Sequence, residues 1–421
     1  MGWGNSAQFW VLARHIGIKN SREGSAVSQE VVLDVAPTKA SPFYDPKLRS
    51  IVVQVAIVVL LVFGLWWISD NTIENLRRSN IPTGFEFLNS RSGFEIPDRL
   101  IDYSSESSYG RALLVGIVNT ARVAVLGIIV ATIVGFVVGI GRLSSNWMIR
   151  KLATIYIEVF RNVPLLLVIL FWYQGVLALL PNVRSSLALP FGSYLNNRGL
   201  YLPRLIWSQG AWLIIAGLMV AIGLSWYVAR RAHARQMATG QQLPVFWVSV
   251  ALLIGLPLLG CVLAGFPMTV EFPQKGTFML TGGLDVKPEF LSLLLALSFY
   301  TASFIAEIVR AGIQGVPKGQ AEAYSSLGIR PGQGLRLVII PQALRIIIPL
   351  LTSQYLNLTK NSSLAVAVGY ADLYAVGGTI LNQTGRAIEV VVIFMVVYLG
   401  LSILTSLVMN WFNVKLALRQ R

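Results

Sequence analysis

Residues Gly319 to Pro341 read GQAEAYSSLGIRPGQGLRLVIIP, a polar interruption lodged between two long apolar stretches near the C-terminal end. Gln320 to Leu327 carries good helix formers at most positions. Gly328 stands where a left-handed C-cap is wanted, and Pro331 follows so that the helix does not resume at once. The stretch therefore predicts a short capped helix over 319–328 and not a floppy loop. An ordinary interhelical loop would also account for Gly328 and Pro331, so the flanking sequence has to decide what the helix is for.

That flanking sequence belongs to a membrane. Of 421 residues, 55% are hydrophobic and 13% charged, with a mean hydropathy of +0.65, against roughly one-quarter charged in soluble domains. The expected fold is all-α, a polytopic transmembrane helical bundle. Apolar stretches long enough to cross a bilayer, about eight of them, lie near 51–69, 112–141, 155–180, 211–229, 243–265, 289–311, 338–358 and 388–411. The first fifty residues are mixed and polar, with nothing that reads as a cleavable signal peptide. Cys261, the single cysteine, sits in an apolar run and implies neither a disulfide nor thiol chemistry.

A net charge of +15 would suggest nucleic acid in a soluble protein, but the basic residues fall between spans. Arg142, Arg150 and Lys151 follow the second span, Arg230, Arg231 and Arg235 the fourth, and Lys318, Arg330 and Arg336 the sixth; Lys415, Arg419 and Arg421 close the tail. By the positive-inside rule these loops and both termini are cytoplasmic, and nucleic-acid binding is not expected. The acidic segment from Asp70 to Arg111 then faces out, and the helix around Glu322 faces in.

Against this topology the spacing within 319–341 becomes specific: Glu322 and Ala323, Gly328, then Val338, Ile340 and Pro341. It resembles the EAA loop of the inner-membrane permeases of ABC importers, with Tyr324 in place of the usual second alanine. Two further motifs narrow the resemblance to the histidine/glutamine-type branch for polar and general L-amino acids: YIEVFRNVPLLL, Tyr156 to Leu167, and FIAEIVRAGIQGVPKGQAEA, Phe304 to Ala323. The resemblance covers roughly 112–180 and 288–415, a five-helix permease core. It implies the following organisation: 1–50 a cytoplasmic segment, 51–110 an extra span and outer loop, 111–180 the first part of the core, 181–287 an inserted loop with an extra pair of spans, and 288–421 the second part. It also implies partners: a cytoplasmic ABC ATPase dimer docked on Gly319, Gln320, Glu322, Ala323, Gly328 and Pro341, a periplasmic amino-acid-binding protein, and a second permease subunit. The size of the additions points to a different sister chain, as for the larger permease of general L-amino-acid importers. ATP and Mg would belong to the ATPase, with no cofactor bound by this chain.

Other residues carry open alternatives. Glu158 with Arg161, and Glu307 with Arg310, are spaced to pair along a helix face; they read either as a gate or inter-subunit ion-pair network or as interfacial anchors. Gly127, Ala131, Gly135 and Gly139 recur every fourth residue, a packing face for another helix. Lys360, Asn361, Ser362 and Ser363 offer donors for an α-carboxylate, or simply cap a helix. Arg122 is a second such donor, or it snorkels.

No GxxxxGK[ST] phosphate loop is present, so the chain does not read as the ATPase itself. Two histidines, His15 and His233, and one cysteine provide no metal-ligand cluster, and no serine nucleophile elbow appears. The expectation is a transport subunit of the bacterial inner membrane and not an enzyme. The competing class is an ion-coupled secondary transporter working without an ATPase. Such proteins place ionisable residues near the midplane within repeats, whereas here the acidic residues cluster at span ends.

Overall fold

The computed structural model describes residues 46–78, 83–276 and 280–416. Most of the expected N-terminal segment, His15, Arg419 and Arg421 lie outside them. The chain divides into two units, one ending at Arg78 and one beginning at Ser79. The described part of the first is a single helix, α1 (Pro46–Arg78). Its 33 residues extend about 50 Å, and Leu60, Leu65 and Trp66 are all more than half exposed. A helix apolar on every side and uncovered suits lipid as solvent.

The second unit is built on α2 (Tyr109–Arg142) and α7 (Pro288–Gln314). Ser108 starts α2 by accepting a hydrogen bond from the Arg111 amide. The small residues of α2 let the two backbones close up. A Cβ on Gly135 would stand 2.5 Å from Ile305 Cγ2, and one on Gly139 would stand 2.7 Å from the Ala306 carbonyl oxygen. Ala131 is fully buried, and Gly127 faces Leu358. The main core forms around this pair, with Leu293, Leu297, Ile305, Ile347 and Leu358 fully or almost fully buried.

The third apolar stretch is not the straight span expected over 155–180. α3 (Trp147–Asn162) and α4 (Leu165–Leu170), the latter continued as π-helix to Leu177, meet at 111°. Pro164 causes the bend: it forces Val163 out of the helical region, to φ −98°, ψ 131°. Counted with this bent pair as one span, the described residues hold eight spans, otherwise seven.

Between the π-helical turn and α7 lies a segment of short strands and a helical hairpin, which covers most of the expected insert over 181–287. Its short strands were not anticipated, because none carries an alternating pattern long enough to read. Strands β1 (Leu187–Leu189), β2 (Ser193–Asn196) and β3 (Gly199–Leu202) run antiparallel, and β4 (Arg204–Trp207) leads into α5 (Trp212–Thr239). After α6 (Val245–Leu263) come β5 (Met268–Glu271), the short pair β6 (Gln274–Lys275) and β7 (Leu280–Thr281), and β8 (Leu284–Val286). β4 pairs with β5 and so clasps the two ends of the α5–α6 hairpin, while β8 adds to β3 and runs straight into α7. The hairpin itself is held by reciprocal glycines. A Cβ on Gly217 would lie 2.7 Å from the Leu256 carbonyl oxygen, and one on Gly260 2.6 Å from that of Leu213.

Gly217→Val is therefore expected to pry α5 from α6 at a cost of about 1–3 kcal/mol. Cys261 is buried beside this contact, at 6% exposure, so its labelling by N-ethylmaleimide should rise severalfold in the variant. Unchanged labelling would show that the hairpin does not depend on the close approach.

Beyond α7 come α8 (Lys318–Ser326), α9 (Pro331–Gly334), a π-helical turn over Leu335–Ile339, and α10 (Ile340–Asn361). The π turn falls where Pro341, lacking an N–H, interrupts the regular ladder. A 3-10 turn over Ser362–Val368, α11 (Leu373–Thr384) and α12 (Ala387–Leu416) complete the unit. A second core, with Phe87, Ile96, Val115, Leu373, Ile380 and Val390 buried, pins the segment from Phe87 onto α2, α11 and α12.

Candidate functional site

α8 is the exposed helix that the polar interruption predicts. Gly328 follows it at φ +70°, the left-handed conformation that lets glycine stop a helix cheaply. No residue of α8 is buried. Glu322 and Ala323 are exposed, Leu327 leaves 77% of its surface uncovered, and no partner faces the Glu322 carboxylate among the described residues. Gly319 has open space around it. The helix is nevertheless fixed at its base. Gln342 donates to Gln320 Oε1 at 3.0 Å, and the Tyr324 ring packs against Gly334, where a Cβ would stand 2.4 Å from the ring. Tyr324 thus fastens α8 to the start of the following span, with Pro341 just beyond, at the second residue of α10.

The four charged residues at the helix ends are placed differently from their sequence spacing. Glu307 and Arg310 pair along α7 as expected. Glu158 and Arg161 do not pair with one another: Arg161 stacks over the Phe304 ring at 5.5 Å, and Glu158 lies 3.8 Å from Arg142. Arg142 also binds Glu307 directly, so one guanidinium joins the ends of α2, α3 and α7. The sequence alone places it among the basic anchors, and the structure gives it two carboxylate partners. The signal was present, since Arg142 lies three residues beyond Gly139 and on the face the glycine stripe turns toward α7.

At the other end of α7, Arg122 donates to Asp98 Oδ1 at 2.9 Å and lies over the Phe290 ring at 3.9 Å. It does not snorkel. Only 15% of its side chain is exposed, and Asp98 comes from a loop with no motif to announce it. No hydrogen bond or ion pair among the described residues joins Arg122 to Lys360, Asn361, Ser362 or Ser363. That run ends α10 and begins the 3-10 turn. Ser362 donates to the Thr359 carbonyl at 2.8 Å and Ser363 to the Lys360 carbonyl at 2.9 Å, so both hydroxyls serve the helix end. The Lys360 side chain is exposed.

The chain thus combines exposed apolar helices of spanning length with one short exposed helix held between α7 and α10. Residues 214–419 match the family described as binding-protein-dependent transport system inner membrane component. Much longer likeness exists to individual proteins. The chain is 62% identical over 381 residues to the general L-amino acid transport system permease protein AapQ of Rhizobium johnstonii, covering 90% of this chain and 95% of that one. It is 47% identical to the putative amino-acid ABC transporter permease YhdX of Escherichia coli, covering 90% and 97%. With the glutamate/glutamine/aspartate/asparagine transport system permease protein BztB of Rhodobacter capsulatus it shares 40%, covering 90% and 96%. The chain belongs to this family, as an ABC transporter permease of the amino-acid type. It is accordingly an integral inner-membrane transport subunit with several spans, and the family works with an ATPase and a binding protein.

Proposed function

We propose that this chain forms one half of the pore of an ATP-driven importer that carries polar L-amino acids inward, and that the ATPase docks on α8. The observation that carries the proposal is the combination of exposure and anchoring at α8. Leu327, Ala323 and the unpartnered Glu322 face water, while Tyr324 and Gln320 fix the helix to the next span. A short rigid helix of this kind converts motion of a docked partner into motion of α7 and α10, which it joins directly. In this reading α8 and both termini are cytoplasmic, ATP and Mg stay on the ATPase, and substrate arrives from a periplasmic binding protein. The second half of the pore is a different sister permease. Purified complex holding two copies of this chain and no sister would refute that last point.

The test is reconstitution in proteoliposomes with the partner subunits, with uptake and ATP hydrolysis measured together. Glu322→Ala removes the free carboxylate, and Gly328→Val strains the cap by about 1–2 kcal/mol because a side chain is placed at positive φ. Both variants should insert normally, hydrolyse ATP, and lose at least about tenfold in uptake, a differential of roughly 1.4 kcal/mol or more. Full transport by both would overturn the docking role. Uptake that persists without any ATPase would instead favour the ion-coupled class.

A further inference from the structure

Two cavities meet at the N-terminal end of α7, about 40 Å along that helix from α8. The larger, ≈ 580 Å³, is lined by Tyr173, Arg198, Tyr201, Asp285, Lys287 and Glu289. The smaller, ≈ 280 Å³, is lined by Asp98, Lys287, Glu289 and Tyr370 among others. Lys287 and Glu289 belong to both, so the two chambers share a wall. The larger volume falls in the range of small-molecule sites, roughly 300–1,000 Å³. Most of its charged lining comes from the insert: Arg198 from the β2–β3 turn, Asp285 from β8, and Lys287 from the link into α7.

The charges balance. Asp98, Asp285 and Glu289 stand against Arg198 and Lys287, with Arg122 supplying the third cation through its pair with Asp98. A basin with both signs and no excess of either favours a ligand that also carries both signs. The carboxylates are only half used. Asp285 Oδ2 accepts from Lys287 Nζ at 2.5 Å, yet its Oδ1 is buried without a partner; Asp98 Oδ1 accepts from Arg122, and its Oδ2 is likewise buried and unpartnered. A buried acceptor left unsatisfied costs free energy, more so when charged. Neither atom has free surface, so a ligand N–H reaches these carboxylates once one of them turns toward its adjoining cavity. On the cationic side, the Arg198 guanidinium is exposed with no hydrogen-bond or ion-pair partner among the described residues. Lys287, whose pKa is raised chiefly by its hydrogen bond to Asp285, stays protonated with further N–H groups to offer.

We propose that this basin is a binding site for a free, zwitterionic amino acid: the α-ammonium sits on the Asp285 carboxylate, turned toward the cavity, and the α-carboxylate on Arg198 and Lys287, with the Asp98 chamber offering a second acceptor across the shared wall. The assignment rests on the importer reading above and gives the insert a role, that of building an acceptor site at the far end of the pore from α8. Backbone groups common to all amino acids are recognised, and the side chain is left to the open part of the cavity.

Calorimetry on the assembled transporter in lipid nanodiscs, without binding protein, tests this with L-glutamine as probe. Saturable binding is expected for glutamine, and binding at least tenfold weaker for its analogue lacking the α-ammonium and for that lacking the α-carboxylate. Asp285→Asn and Arg198→Met should each weaken glutamine binding at least tenfold while thermal unfolding stays unchanged. Absence of glutamine binding to the wild type, or wild-type affinity in both variants, overturns the proposal. So does a loss confined to capture of the binding protein, which would make the basin a docking surface. ATP-driven uptake measured in parallel separates the two readings: no uptake by the wild type sinks the importer, whereas intact uptake with unchanged half-saturation in both variants sinks only this site.

Discussion

Gly139→Val lowers the yield of folded protein and the midpoint of thermal unfolding in detergent, because it forces apart the two helices on which the main core is built. The added Cβ would sit 2.7 Å from the Ala306 carbonyl oxygen and 2.9 Å from Val309 Cβ. A backbone carbonyl inside a helix cannot rotate aside, so the helices must separate along their length. One turn earlier Gly135 meets Ile305 and the Ala302 carbonyl in the same way, and separation at either site loosens the other. Overpacking of this kind costs about 1–3 kcal/mol per site, and Gly135→Val combined with Gly139→Val should leave little folded protein. Alanine suffices for a measurable effect at Gly139, since even one carbon is too close. Gly223 on α5 is the control, with nothing within 4 Å of its Cβ position. There alanine should be neutral or gain up to about 1 kcal/mol from helix propensity. Equal loss at Gly139 and Gly223 would mean that helix propensity, not close approach, sets the outcome.

What the sequence made legible follows the range of the interactions involved. The α8 helix, its Gly328 cap and the small-residue stripe of α2 are local patterns, written within a few turns of chain, and each appears where its spacing places it. The bend at Val163–Pro164 was legible in principle, because a proline restricts the residue before it, but an unbroken apolar run masked it. The Glu158–Arg161 pairing failed for a different reason: i, i+3 spacing allows a contact, and a stronger partner from another helix took the carboxylate. Arg142, Asp98 and the Tyr324–Gly334 contact are products of tertiary packing. Asp98 in particular lies in a loop without periodicity, 24 residues from the Arg122 it holds. The strands of the insert, two to four residues each, are too short for an alternating pattern to stand out.

Glu307→Gln is expected to abolish most transport while leaving the ATPase docked. Glu307 is the one carboxylate that binds both Arg142 and Arg310, and through Arg142 it is linked to Glu158 on α3. The three central side chains are 20%, 24% and 28% exposed, so the cluster is shielded but not dry. Removing the carboxylate strands two guanidiniums near each other with only Glu158, 3.8 Å from Arg142, in compensation. Breaking a buried pair from one side costs about 3–5 kcal/mol, and partial exposure puts this case near 3. That is about a hundredfold in any equilibrium between the arrangement in which these helix ends are tied and one in which they are not. Since α7 leads directly into α8, a shift at its end changes, on the proposed docking at α8, the state that the ATPase drives. Uptake should fall by more than tenfold. Glu307→Gln combined with Arg142→Gln should recover part of it, because one of the two stranded guanidiniums is then gone and only Arg310 is left without its carboxylate. If Glu307→Gln docks the ATPase and transports normally, the cluster is only an interfacial anchor. If the double variant is as impaired as the single one, the loss comes from packing around Glu307, for a charge imbalance would have been relieved.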